Sequence, residues 1–327
     1  MSDSELLSLL KAVSRSFYLS VRFLPGRIRA TVAVGYLVAR ASDSIADTNR
    51  LESDRRLRAL SILSASLQDF RQSLIPELQA CIAAHPDSVE RTLLTNLEWI
   101  LDFLRSLPAR HQELLLDVLT KIIHGQSLDI RRFGGAGSSR ALKTEDELDE
   151  YTYLVAGSVG EFWTELCLGE WRNYSRISQP EIVRLGVEFG KGLQLINILR
   201  DFPADVKAGR SYLPVSDPLI LQKDLEAARD LYGRWHQKAV GLMDSAWGYV
   251  DAVRPIRIRF ACALPVLIGV RTLARLRSAP GIVAGAAKVA RAEVYWLVVL
   301  SVIIAAVPAA QSAVYRREFE AVGRSDV

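Results

Sequence analysis

Two short acidic segments hold the residues most able to do chemistry. One is Arg40-Ala41-Ser42-Asp43-Ser44-Ile45-Ala46-Asp47. The other is Asn197-Ile198-Leu199-Arg200-Asp201-Phe202-Pro203-Ala204-Asp205. Each sets two aspartates four residues apart with an arginine at hand, at the end of a largely apolar stretch. On a helix, side chains at i and i+4 share a face. Two carboxylates so placed repel unless a positive charge lies between them. Mg²⁺, a hard cation with oxygen ligands, suits that role and binds phosphate oxygens in turn. Two such pairs facing one another would make a cage for diphosphates.

A lone pair of aspartates at this spacing is usually a solvated helix face, so the flanking pattern decides. In the second segment a polar stripe runs Gln194, Asn197, Asp201, Asp205, while Ile182, Leu185, Phe189, Leu193 and Ile196 mark an apolar face. These are the steps of a packed helix. In the first segment Tyr36, Arg40, Asp43 and Asp47 form the stripe, amid Val32, Val34, Leu37 and Val38. Polar stripes on otherwise apolar helices point to an interior polar cleft. Pro203 removes an N–H and clashes with the carbonyl four residues back, so the second helix is expected to bend or end there.

The elements that must position these residues read as helices. Val89, Leu93, Leu97, Ile100 and Leu104 recur at helical steps, and Pro108 separates them from Leu114, Leu115, Val118, Leu119 and Ile122. Asp146 and Glu147 lead into Tyr151–Leu168, and Leu219–Val250 continues helical. Alternating strand patterns with tight-turn dipeptides are absent. The 327 residues carry a net charge of +4 with both signs interspersed, which suits anionic diphosphates or an anionic membrane surface and does not suggest nucleic acid. The short Gly-rich stretch Phe133–Arg140 reads as a connection beside the pocket, not as a domain boundary. Cys81, Cys167 and Cys262 form no disulfide or zinc framework, and His85, His111, His124 and His236 form no metal-spaced cluster. With no signal-peptide pattern at Met1–Leu10, a cytoplasmic location is expected.

Residues 294–310 are uncharged, at the short limit for a membrane span. Tyr295 and Trp296 stand at one end, Lys288 and Arg291 precede, and Arg316 and Arg317 follow. A core helix or a peripheral contact with the inner membrane face is favoured over a span.

The chain resembles the squalene and phytoene synthases, the head-to-head prenyl transferases. Ser14-Arg15-Ser16-Phe17 is similar to the family's SRSF, and Tyr36–Asp43 to its YLVxRxxD in the form nearer to squalene synthases. Tyr151–Gly160 resembles YxYxVAGxVG, and Gln194–Asp205 with Gly209–Pro214 resembles QxxNIxRDxxxD…GRxYLP. Phe260–Pro265 resembles a further segment of squalene synthases. The resemblance implies an all-α, single-domain isoprenoid-synthase-type bundle with a central cavity.

It also implies that Asp43, Asp47, Asp201 and Asp205 bind Mg²⁺. Arg40, Arg200, Arg15 and Arg210 would neutralise the leaving diphosphate, and Tyr151 would handle a proton. Ser14, Phe17, Tyr36, Gln194, Asn197 and Phe260 would contact substrate. The expected reaction is the Mg²⁺-dependent condensation of two farnesyl diphosphates through presqualene diphosphate, followed by NADPH reduction to squalene. Phytoene or dehydrosqualene synthesis without the reduction is the alternative within the family, and a non-catalytic relative that binds prenyl diphosphate is the alternative from another functional class. Two departures bear on the number of Mg²⁺ sites. Ala46 and Ala204 stand where the family often has a second acidic residue. No G-x-G-x-x-G follows a strand, so a Rossmann seat for NADPH is not expected.

Overall fold

The structure, a computed structural model, describes residues 3–48, 50–68, 75–85, 87–134, 140–278, 290–320 and 322. The expected Gly-rich connection lies largely outside them. The described residues are all-α except for two strands of two residues each. Their contacts cluster as two compact units, residues 1–136 with 165–170, and residues 137–164 with 171–327.

In the first unit the helices are α1 (Asp3–Val13), α2 (Arg15–Phe23), α3 (Gly26–Ala46), α4 (Ser53–Gln68), α5 (Ile75–Ala84), α6 (Ser88–Thr95), α7 (Leu97–Arg105) and α8 (Ala109–Phe133). The expected run from Val89 to Leu104 is two helices, broken at Asn96. Helix α3 is central and packs against α4, α6, α7 and α8. Its Ile28, Val32, Val34, Leu37, Val38, Ala41 and Ile45 are buried, which leaves Tyr36, Arg40, Asp43 and Asp47 as its more accessible stripe. Burying that many apolar side chains anchors the helix firmly, at roughly 1.5–3 kcal/mol for each large one.

In the second unit, α9 (Glu145–Thr152) begins at Thr144, whose side chain accepts from the Glu147 N–H. It runs into a π-helical turn, Tyr153–Gly157, and then α10 (Ser158–Glu170), whose residues 165–170 cluster with the first unit. There follow α11 (Gln179–Lys207), α12 (Pro218–Lys223), α13 (Leu225–Ala252), α14 (Ile256–Ser278), α15 (Arg291–Ala306) and α16 (Pro308–Glu320). Strands β1 (Arg140–Ala141) and β2 (Arg210–Ser211) pair in parallel. The expected helix over Leu219–Val250 is interrupted at Asp224, which caps α13 by accepting from the Ala227 N–H.

Helix α11 packs against α13, α14 and the π-helical turn. Glycines permit the last of these approaches. A Cβ on Gly160 would lie 1.8 Å from the Gly186 carbonyl oxygen, and one on Gly190 would lie 2.1 Å from the Ala156 carbonyl oxygen. Gly160 of the Tyr151–Gly160 motif thus serves backbone-to-backbone contact, whereas a Cβ on Gly157 would meet the side chains of Lys191, Tyr153 and Val187 at 3.2–3.3 Å. Gly160→Ala is expected to destabilise by about 2–3 kcal/mol, since one helix must move off the other. Gly169→Ala, where a Cβ meets nothing within 4 Å, is the matched control and should be neutral or slightly stabilising. Equal chemical-denaturation midpoints for the two variants would refute the close-packing account.

Two sequence expectations are corrected. Of the bend or end expected at Pro203, the end is overturned, because helix α11 continues to Lys207. The proline costs about 3 kcal/mol in a helix interior, and burial of the flanking Leu199, Phe202 and Val206 offsets it. Residues 294–310 are not one helix either. Helix α15 stops at Ala306, and Pro308 opens α16, a position that suits a residue without an N–H. Leu297, Leu300, Ile304 and Ala305 of α15 are buried against α14, whereas Tyr295, Trp296, Val299, Val302 and Ile303 are exposed. Among the described residues no helix is long and apolar enough to cross a membrane.

Candidate active site

Helix α3 presents the first acidic pair. Arg40, one turn before Asp43, donates through Nη1 to Asp43 Oδ2 at 3.1 Å. Its Nε and Nη2 reach Glu90 Oε1 on α6, the former at 3.1 Å. Burial works against the Arg40 charge, but Glu90 and Asp43 outweigh it and raise its pKa. Asp43 is half-buried, and burial together with the Asp47 charge pushes its carboxyl up to about 6, against the pull of Arg40. Burial likewise raises the Asp47 pKa, against the pull of Arg40, Arg56 and His85. Asp47 is the exposed C-cap of α3. Tyr36 is half-buried one turn before Arg40.

Helix α11 presents the second pair, and its carboxylates differ. Asp201 is exposed and takes a two-pronged contact from Arg200, Nε to Oδ1 at 2.9 Å and Nη2 to Oδ2 at 2.8 Å. Asp205 is buried and accepts from Arg210 Nε at 2.7 Å. Burial raises the Asp205 pKa, and Arg210 opposes the rise. Arg210 reaches Asp205 because the chain turns at Gly209, the described residue with a left-handed φ of 76°, and then enters the β1–β2 pair. Asn197 Nδ2 donates to Gln194 Oε1 at 3.4 Å, one turn before Asp201.

Tyr151 stacks on Tyr212, with ring centroids 5.2 Å apart and planes 30° off parallel. Tyr153, two residues on, points elsewhere, donating to Glu161 Oε2 at 2.8 Å. The π-helical turn starts at Tyr153; such turns recur at functional sites. Lys191 on α11 holds both oxygens of Asp149 at 2.8 Å. Phe260 is half-buried on α14. Ser14 joins α1 to α2. The side chains of Arg15 and Phe17 lie outside the described residues.

The donor set fits Mg²⁺. Each helix offers two carboxylates with an arginine beside them. Among the described residues no group of three or more His, Cys, Asp or Glu is gathered as ligands. Mg²⁺ does not require one, because it is commonly held by one or two carboxylates plus substrate phosphates and waters. NADPH is different. Among the described residues the two strands of two residues build no strand–turn–helix seat for a dinucleotide, and none of those residues is assigned to it.

Sequence reasoning missed Glu90, Ser44 and Lys191 and assigned no role to Tyr212. Glu90 is separated by 50 residues from the arginine it holds, on another helix. No local pattern announces it beyond its place in the first turn of α6 after the Asp87 cap.

Comparison with known proteins agrees with the fold and the family. The chain is 25% identical over 303 residues to a squalene synthase of Saccharomyces cerevisiae, covering 90% of this chain and 66% of that one. It is 28% identical over 264 residues to a bifunctional lycopene cyclase/phytoene synthase of Phaeosphaeria nodorum, covering 76% and 42%. Against these two relatives the chain thus spans less than two thirds of their length. A solved ligand complex of TcSQS superposes with a TM-score of 0.76 at 20% identity, over 99% of this chain and 93% of that one. A dehydrosqualene synthase does so with 0.62 at 22%, over 91% and 94%. The family model for squalene/phytoene synthase matches residues 10–296, and the chain belongs to that family.

Proposed function

We propose that this chain is a squalene-synthase-type enzyme that joins two farnesyl diphosphates head to head and reduces the product to squalene with NADPH. The observation that carries the reading is the pair of acidic stripes, on α3 and on α11, each with arginine in contact. Asp43 with Asp47, and Asp201 with Asp205, would hold Mg²⁺, which when bound offsets the charge of the diphosphates. Arg40 beside the first pair, and Arg200 and Arg210 beside the second, would each offset diphosphate oxygens as a C–O bond breaks and the electron pair leaves with the diphosphate. Preorganised cations at the point where charge develops lower that barrier. The double bond of the second substrate attacks the allylic cation, and loss of a proton closes the cyclopropane. Tyr151, stacked on Tyr212, is the group assigned to that proton. A second ionisation and rearrangement would follow, and NADPH, when bound, would supply the hydride that quenches the final cation.

Squalene is favoured over phytoene or dehydrosqualene by the Tyr36–Asp43 form and by the Phe260–Pro265 segment. The test gives the purified protein farnesyl diphosphate and Mg²⁺, with and without NADPH. Squalene is expected with NADPH, and cyclopropyl or shunt products without it. A conjugated triene hydrocarbon in equal yield under both conditions would move the activity to dehydrosqualene synthesis, and a strong preference for geranylgeranyl diphosphate would move it to phytoene synthesis. No diphosphate release from either substrate would support a non-catalytic binding protein.

We propose further that the protein works at an anionic bilayer surface. The exposed stripe Tyr295, Trp296, Val299, Val302, Ile303 and Val307 has aromatic rings at one end. Exposed Arg254 and Arg257 flank the start of α14, which Arg259 ties to the Ala305 carbonyl at 3.2 Å. At 16 residues, α15 is about 24 Å long, too short for a hydrocarbon core of about 30 Å, so it would lie in the interface. The protein should co-sediment with phosphatidylserine vesicles, and the Val299→Glu/Val302→Glu variant should stay in the supernatant with its fold intact. Equal pelleting of both would refute this placement.

A further inference from the structure

Glu90 is a buried carboxylate, 7% exposed, that the proposed reaction does not use. Both of its oxygens are engaged. Oε1 accepts from Nε and Nη2 of Arg40. Oε2 accepts from the hydroxyl of Ser44, which lies one turn beyond Arg40 on α3. The Arg40 guanidinium is planar and carries five N–H donors in fixed directions. Glu90 takes the Nε edge and Asp43 takes Nη1. Among the described residues these contacts use three of the five donors, which leaves two for an incoming anion. The grip does not depend on Asp43. When a cation and a diphosphate draw the Asp43 carboxylate to themselves, Glu90 still fixes the guanidinium. The grip is also stiff, because Glu90 sits in the first turn of α6, where the helix N-terminus favours a carboxylate, and α6 packs on α3.

We propose that Glu90 is a positioning residue, which clamps Arg40 beside the Asp43–Asp47 pair so that its remaining donors meet the diphosphate oxygens. The proposal rests on the diphosphate reading of that pair. Without the clamp, Arg40 would spend its freedom on rotamers, or fold fully onto the carboxylates and compete with the cation. Outer partners that orient a ligand-binding group typically contribute 10- to 100-fold in affinity or activity.

The test is a double-mutant cycle on Arg40 and Glu90, read by calorimetric titration with inorganic pyrophosphate in excess Mg²⁺ and by kcat and KM for farnesyl diphosphate. Glu90→Ala should weaken Mg²⁺–pyrophosphate binding by about 10-fold or more. Arg40→Ala should do the same, and the double variant should bind no worse than Arg40→Ala, because Glu90 acts through Arg40 alone. Glu90→Gln keeps the shape and one acceptor, so it should fold even if Glu90→Ala does not, with an intermediate loss. A merely structural role would lower the melting temperature without this non-additivity. Losses that add in the double variant, or wild-type binding in both Glu90 variants, would overturn the proposal. A wild-type protein that binds no pyrophosphate in Mg²⁺ would sink the diphosphate reading itself, and the proposal with it.

Discussion

Replacing Asp43 or Asp201 by Asn is expected to cut the turnover of farnesyl diphosphate by about 100-fold or more while the helical fold survives. The reason lies in the charge balance at each helix. Asp43 is half-buried, and burial and Asp47 raise its pKa to about 6. An amide at that position removes a repulsion from the empty protein, so stability should hold or improve slightly. With a cation and diphosphate in place the same change removes an attraction, so the loss falls on binding and ionisation. Asp201 is a surface residue whose contact with Arg200 is worth less than about 1 kcal/mol to the fold. Its loss too should be nearly silent in thermal denaturation. Asp205 is a poorer probe, since it is buried and its replacement disturbs Arg210 as well. The check is diphosphate release at saturating Mg²⁺ beside circular dichroism. Near-normal release by both variants would remove these carboxylates from the reaction.

Ending the chain before Val294 is expected to unfold the second compact unit. The cut removes the buried Leu297, Leu300, Ile304, Phe319 and Val322. At roughly 1.5–3 kcal/mol for each such side chain, the loss comes to about 7–15 kcal/mol, the whole stability of an ordinary domain. It also strips a cluster in which Tyr315 and Phe319 stack at 4.5 Å, with Trp247 against both rings. Arg271 loses Glu318, a carboxylate with no solvent exposure that its Nη2 meets at 3.0 Å. A cooperative thermal transition and soluble, active protein after the cut would show that α15 and α16 are a dispensable attachment. The outer face of α15 separates the two roles of that helix. Val299→Glu should leave the melting temperature nearly unchanged, whereas Leu297→Ala should lower stability by about 2–5 kcal/mol.

Much of this protein is written in short-range patterns. The steps of 3 and 4 between Tyr36 and Asp47, and between Gln194 and Asp205, place the polar stripes because helical periodicity is a local property. The all-α class follows from the same periodicity. The family is legible in five ordered motifs, and the pairings Arg40–Asp43 and Arg200–Asp201 lie within one turn of helix. What only the tertiary structure decided involves groups distant in sequence or the balance of burial against local cost. Glu90 reaches Arg40 because α6 packs on α3, and no spacing along the chain encodes that meeting. Gly160 meets the Gly186 carbonyl because two helices approach at their backbones, whereas the motif alone leaves open whether the glycine makes room for a ligand or for a neighbour. Pro203 would break an isolated helix, and burial of Phe202 and its neighbours carries α11 through it. Residues 294–310 are apolar on every side, so their composition cannot separate core, interface and span. The packing of α15 on α14 separates them, since it covers one face of that helix and leaves the other exposed.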